Sequence, residues 1–190
     1  MERNISYDND DAVNVAGIVR ESIVDGPGFR FVIFCQGCPH GCKACHNPDT
    51  HAFKENKLIG VDELFESIMK PKLGKGVTFS GGEPFCQAAP FAKLGEKLKA
   101  AGIDILIFTG YEYEELIKMA KYNESIMRLI KTADYIVINS PLQIALVLFI
   151  CSPTSSIESS PSILFFAVSY KYSDGFNPST SCRPIAVDHA

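Results

Sequence analysis

The sequence predicts a single α/β domain made of strand–helix units around a parallel sheet. Two observations carry this. Short runs rich in β-branched and aromatic residues recur along the chain, separated by roughly 10–18 residues of helical spacing. The chain has 190 residues, 46% hydrophobic and 21% charged, a length and composition that suit one domain with a full core.

VNVAGIV (13–19) and FRFVIFC (29–35) read as strands, and VDGPG (24–28) between them as a tight turn. A cysteine-rich loop, CQGCPHGCKACHN (35–47), follows. Leu64, Phe65, Ile68 and Met69 recur at helical spacing over 61–70, with Asp62 and Glu63 favourably placed near the start and Pro71 ending the run. GVTFS (76–80) is a strand that runs into GGEP. A helix over 87–101, a strand over 104–110, a helix over 113–130 interrupted near Asn123, and a strand over 133–139 complete the pattern. Residues 1–12 form an acidic N-terminal lead, and 13–139 the domain. From Ser140 onward Ser, Pro and apolar clusters take over, charge nearly vanishes and no period persists, so no structure is predicted over 140–190. A reading-frame slip or a chimeric end would produce such a change. The apolar run 163–168 is the piece of it that would complete the sheet.

The net charge of −4 and a pI near 5.6 argue against a nucleic-acid surface. The first residues lack the basic start and apolar run of a secretory signal, which points to a reducing, cytoplasmic setting. There, clustered cysteines serve as metal ligands or redox groups rather than as a disulfide framework. The longest apolar run, 142–150, is far too short to span a bilayer, so no membrane association is expected.

Four of the seven cysteines fall within eleven residues, and Cys38, Cys42 and Cys45 are spaced C-x3-C-x2-C. Three thiolates from one loop can hold three irons of a cubane cluster and leave the fourth iron open to a substrate. Zinc is the competing occupant, with His40 or His46 as a fourth ligand, although no second C-x2-C pair lies downstream. Buried free thiols are the third reading. Cys35 reads as a core thiol, and Cys86, Cys151 and Cys182 have no partner spacing. Gly81 and Gly82, at a strand end, let the backbone approach a ligand closely, and Glu83 can stabilise an ammonium charge. A bare GGEP also fits a simple turn. VDGPG and Thr109-Gly110-Tyr111 lie at other strand boundaries, and ligands of parallel sheets bind at the carboxyl ends of strands. His51 and His189 read as surface residues. No Ser/His/Asp constellation is present.

C-x3-C-x2-C after a strand, with SGGEP at the end of the next, resembles the radical S-adenosylmethionine superfamily. VDGPGFR, CHNPDTH, TFSGGEPF and TGYEYEEL are similar to the activating proteins of glycyl radical enzymes. TGY and the lack of an insert carrying further cysteine quartets favour the anaerobic ribonucleoside-triphosphate reductase type over the pyruvate formate-lyase type. The resemblance runs from about Val15 to Asn139. It implies an open, partial (β/α) barrel of mostly parallel strands, with a 4Fe–4S cluster on Cys38, Cys42 and Cys45. It also implies S-adenosylmethionine held by Ala44, Cys45, His46, Gly81, Gly82, Glu83, Pro84 and Thr109. In such proteins the reduced cluster cleaves that cofactor to a 5′-deoxyadenosyl radical, which takes a hydrogen from one glycine of a large partner enzyme. The partner implied is the catalytic subunit of anaerobic ribonucleoside-triphosphate reductase, with an electron donor such as flavodoxin. Asp25, Gly26, Pro27, Gly28 and Tyr111 are expected to frame the opening where the partner's glycine loop enters. No catalytic residue is implied beyond the cluster and the cofactor. A pyruvate formate-lyase activator, a radical enzyme acting on a small molecule, and a zinc-bound interaction module remain the alternatives. The segments that usually follow the last matched strand in the family are not found after Ile138.

Overall fold

The computed structural model describes residues 10–70, 73, 74 and 76–139, with the backbone alone at 139, 145–150 and 163–167. Its elements, in chain order, are β1 (Ala12–Ser22), β2 (Arg30–Cys35), β3 (Lys57–Gly60), α1 (Val61–Met69), β4 (Gly76–Gly81), α2 (Ala88–Ala100), β5 (Asp104–Thr109), α3 (Tyr113–Ala120), α4 (Glu124–Thr132), β6 (Tyr135–Asn139), β7 (Ala145–Ile150) and β8 (Ile163–Ala167). Short 3-10 turns cover Pro48–Thr50 and Pro84–Gln87.

The strands form one sheet in the order β3-β1-β2-β4-β5-β6-β7-β8. Its centre is parallel: β2 pairs with β4, β4 with β5, and β5 with β6. The flanks are antiparallel, β1 and β3 on one side and β7 and β8 on the other. This is the open α/β arrangement expected. Because β2, β4, β5 and β6 succeed one another in a single direction, right-handed crossovers place every connecting helix on the same face.

That face holds the core. Phe31, Ile33 and Cys35 of β2, Val77 and Phe79 of β4, Ile105 and Ile107 of β5, and Ile136 and Ile138 of β6 cluster with Leu64 and Ile68 of α1, Phe91, Leu94 and Leu98 of α2, and Leu129 of α4. Side chains alternate along a strand, so Val32, Thr78 and Leu106 point to the other face, away from the helices. Toward the carboxyl ends that face opens, and Phe34, Ser80 and Phe108 are only half-buried. Phe91 meets Phe79 with ring centroids 4.6 Å apart, the anchor between α2 and the sheet.

The interruption expected near Asn123 is a break between two helices: the Asn123 side chain accepts from the Ser125 amide and caps α4. Strands β3 and β7 were not predicted. β7 and β8 fall in the stretch read as structureless, and β8 covers most of the apolar run 163–168. Among the described residues no helix is long and apolar enough to cross a membrane.

Candidate iron–sulfur and cofactor site

The site forms where β2, β4 and β5 end. β2 and β4 run in register to their last pair, Cys35 opposite Gly81, so the cysteine loop and GGEP emerge side by side. Gly81 and Gly82 make this possible. Gly81 has φ +92, and a Cβ there would lie 2.5 Å from the Phe34 Cα; on Gly82 it would lie within 2.4 Å of the Gly37 carbonyl oxygen. The close approach these glycines permit is therefore to the chain's own residues 34–37. The Gly82 amide donates to the Cys35 carbonyl and the Glu83 amide to the Gly37 carbonyl, both at 2.8 Å.

A buried amide network fixes the root of the loop. Gln87, just past GGEPFC, donates to the carbonyls of Asn14 and Gln36, and its own oxygen accepts the Asn14 amide at 2.8 Å. Asn14 donates to the Lys54 carbonyl and accepts the Asn56 amide, while Gln36 donates to the Ala52 carbonyl at 2.7 Å. These three residues, each 1% exposed, join β1, the start of the cysteine loop and residues 52–56. Sequence reasoning passed over all three. The one local signal is a glutamine, Gln36, where an apolar strand gives way to the loop.

Within the loop, Gly37 (φ +99) and Gly41 (φ +56) turn the chain. The Gly37 amide donates to the Thr50 carbonyl and the Cys38 amide to the His51 carbonyl. The Cys45 amide donates to the Cys42 carbonyl, and the Cys45 sulfur accepts the Asn47 amide at 3.3 Å. Cys38 and Cys45 are half-buried and Cys42 is exposed; Cys35 and Cys86 are free as well. Cys151 and Cys182 lie outside the described residues, as does His189. Burial pushes the Cys38 thiol above its ordinary value; the His40 amide opposes this, and Glu83, Cys42 and Cys45 add to the rise.

Two neighbouring thiols that raise the proton affinity of Cys38 make with it a donor set that iron's positive charge would relieve. Among the described residues no three His, Cys, Asp or Glu side chains converge on one ion. A cubane asks for something different, since each thiolate takes its own iron. The donors fit such a cluster.

Glu83 is 1% exposed, and protein donors fill its carboxylate. Oε1 accepts from the Phe85 amide and the Thr109 hydroxyl at 3.0 Å; Oε2 lies 2.9 Å from both the Gly110 amide and His40 Nε2. The Thr109 hydroxyl also accepts the Tyr111 amide. His40 packs edge-on to Tyr111, with centroids 4.6 Å apart, in space that a Cβ on Gly110 would fill. Tyr111 does not cap the next helix, because Glu112 does so through a capping box with Glu115. Thr109, Gly110 and Tyr111 thus meet GGEP and the cysteine loop at one end of the sheet. Pro84 is buried in the turn beside them, whereas Ala44 and His46 are exposed on the outer part of the loop. A cavity of about 250 Å³ is lined by Phe34, Gln36, Asn47 and Asp49 among others.

Asp25, Gly26, Pro27 and Gly28 are elsewhere. They precede β2, whose first residue Arg30 pairs with Gly76, at the opposite end of the strand from Cys35 and about 16 Å away at the rise of a β-strand. The structure does not bring them to the cysteine loop. They wrap the buried Arg30 guanidinium instead. That group bonds Thr78, the Val77 carbonyl and Asp104, and Thr78 in turn donates to the Asp25 carbonyl. Gly26 is needed because a Cβ would lie 2.7 Å from the Arg30 side chain.

Comparison with known proteins agrees with this chemistry. Residues 24–146 match the model of a family described as "4Fe-4S single cluster domain". Among similar proteins are the pyruvate formate-lyase-activating enzymes of Clostridium pasteurianum (37% identical over 118 residues, 59% of this chain and 50% of that protein) and of Staphylococcus epidermidis (45% identical over 92 residues, 45% of this chain and 37% of that protein). The Staphylococcus aureus enzyme is 44% identical over 92 residues, with the same two shares. The chain spans half or less of the length of these relatives. With well over half of its residues under the family match, and its three thiols on one loop at the end of the sheet, the chain belongs to the 4Fe-4S single cluster domain family.

Proposed function

We propose that this chain is a radical S-adenosylmethionine activating enzyme that installs a glycyl radical on a large partner protein. One observation carries the reading: the C-x3-C-x2-C loop, GGEP and TGY, distant in sequence, are laced together at the carboxyl ends of three adjacent parallel strands. In this reading Cys38, Cys42 and Cys45 hold the 4Fe–4S cluster. When bound, the cluster would supply one electron to break a carbon–sulfur bond of S-adenosylmethionine, and the resulting 5′-deoxyadenosyl radical would take hydrogen from a glycine. The chain's own residues bind and orient. Ala44, Cys45 and His46, which precede the cavity-lining Asn47 in the chain, take the adenine side. Gly81, Gly82, Glu83, Pro84 and Thr109 form the rim that receives the methionine end. Glu83 acts there mainly by fixing Thr109, Gly110 and His40, because its oxygens are already occupied. Of the residues expected at the partner's entry, Tyr111 stands at this rim, whereas Asp25–Gly28 support β2 from its far end.

Two partners are open. TGY and the lack of further cysteine quartets favour the catalytic subunit of anaerobic ribonucleoside-triphosphate reductase, with a flavodoxin-type reductant. Identity of 37–45% to pyruvate formate-lyase-activating enzymes favours pyruvate formate-lyase. Electron paramagnetic resonance of the anaerobically reconstituted, reduced chain tests the core of the reading. A cubane signal that changes shape on adding S-adenosylmethionine is expected, and a cluster indifferent to the cofactor would overturn it. Incubation with each candidate partner then shows which one acquires the glycyl radical doublet.

A further inference from the structure

Among the described residues the buried polar side chains are satisfied with one exception. Asn14, Arg30, Gln36, Glu83, Gln87 and Thr109 all have partners, yet Nε2 of His51 is buried with none, the only such side-chain nitrogen or oxygen among the described residues. Leaving a polar atom dry and unpaired is costly, so each such atom calls for an explanation, an absent ligand among them.

The position of His51 suggests what is missing. Its carbonyl accepts the Cys38 amide at 3.1 Å, and the neighbouring Thr50 carbonyl accepts the Gly37 amide at 2.8 Å. Its own amide donates to the Pro48 carbonyl, and Thr50 bonds back to Asn47 through both amide and hydroxyl, so the turn carrying the ring is fixed. The imidazole therefore starts one backbone hydrogen bond from the first cysteine of the loop, with an unused polar atom turned away from water. Sulfur in an iron–sulfur cluster accepts hydrogen bonds, and a donor there favours the reduced, more negative state.

We propose that His51, through Nε2–H, is the hydrogen-bond donor to the bound cluster, to a bridging sulfide or a ligand thiolate, and that it sets the cluster's reduction potential. This rests on the cluster occupying Cys38, Cys42 and Cys45. His51 is then a tuning residue, neither a ligand nor a group that touches the partner glycine.

The test uses the full chain, anaerobically reconstituted with iron and sulfide, titrated for its midpoint potential by electron paramagnetic resonance. His51→Phe should load iron as wild type does but show a more negative midpoint, and His51→Gln, which keeps a donor, should recover part of the shift. In the wild type, double resonance should find a strongly coupled proton that exchanges in D2O and is absent from His51→Phe. That measurement decides the matter even if the phenylalanine chain folds poorly, with His51→Leu as the second apolar variant. Equal midpoints in wild type and the apolar variants, with no coupled exchangeable proton, would overturn the proposal while leaving the cluster in place. Failure of the wild type to assemble a cluster would overturn the cluster reading and this inference together, so the two failures are distinguishable.

Discussion

Glu83 shows how much one side chain can join. Its two oxygens tie the end of β4 to Thr109 and Gly110 of the β5 end and to His40 of the cysteine loop. Thr109 is the relay, donating to both carboxylate oxygens while accepting the Tyr111 amide. Thr109→Val keeps the shape and removes both functions, leaving a buried carboxylate short of a donor and a backbone amide short of an acceptor. Urea denaturation should show a loss of about 1–3 kcal/mol, with Thr109→Ser much closer to wild type. Equal midpoints for the valine variant and wild type would mean that Glu83 does not depend on this link. The sequence made Glu83 legible as a ligand-side residue because GGEP sits at a strand end. It could not show that three segments, at 40, 85 and 109–110, would fill the carboxylate first, because such donors come together only in the fold. His51, read as a surface residue, has its Nε2 enclosed, and the miss has the same reason: a lone histidine after a Pro-Asp turn carries no sign of burial.

At the scale of elements, the helices pack on one face closely enough to dictate side chains. Gly95 of α2 faces Thr132 of α4, and a Cβ there would stand 2.5 Å from the Thr132 hydroxyl oxygen. That hydroxyl is buried and donates to the Leu129 carbonyl at 2.8 Å, so it has little room to move. Alanine at 95 gains up to about 1 kcal/mol of helix propensity but must push α2 from α4, which typically costs about 1–3 kcal/mol. Gly95→Ala should therefore lower the thermal midpoint, whereas Gly95→Ala in a Thr132→Ala background should be less harmful than the sum of the two single changes. Additive losses would show that the two helices do not meet there. The long elements were legible because periodicity reports the faces of α1, α2 and β5 directly. β3 was not, since Lys57–Gly60 is four residues long and mostly exposed; it exists because the edge of β1 away from β2 offers Ala12–Val15 to pair with. β7 and β8 lie in a stretch whose composition carries no period, and the backbone pairing of β7 with β6 and of β8 with β7 is a tertiary event.

For the whole molecule, the order of the strands decides where chemistry can occur. With helices on one face, the carboxyl ends of β2, β4 and β5 become a shared rim, and residues 50 to 75 positions apart in sequence become neighbours there. That much follows from the parallel pattern in the sequence. The placement of VDGPG does not, because nothing local says that the loop closes on Arg30 at the far end of β2. Gathering thiols under this rim also has a consequence for the stability of the cluster-free fold. Burial pushes the Cys86 thiol up to about 11, helped by the charge of Glu83, and burial raises the fully enclosed Cys35 thiol well above its usual value. Below about pH 8 these thiols are protonated in both folded and unfolded chains, and their contribution to stability is fully present. Between about pH 8.5 and 11 the unfolded chain releases its thiol protons while Cys86 keeps its own. Unfolding is then progressively favoured, by about 2 kcal/mol for Cys86 alone once pH passes its folded value. Urea midpoints of cluster-free protein should thus fall steeply from pH 8.5 to 10.5, and the fall should be shallower in Cys86→Ser. If the serine variant declined as steeply as the wild type, the alkaline loss would come from other groups, and Cys86 would lie in a wetter place than the geometry of this rim gives it.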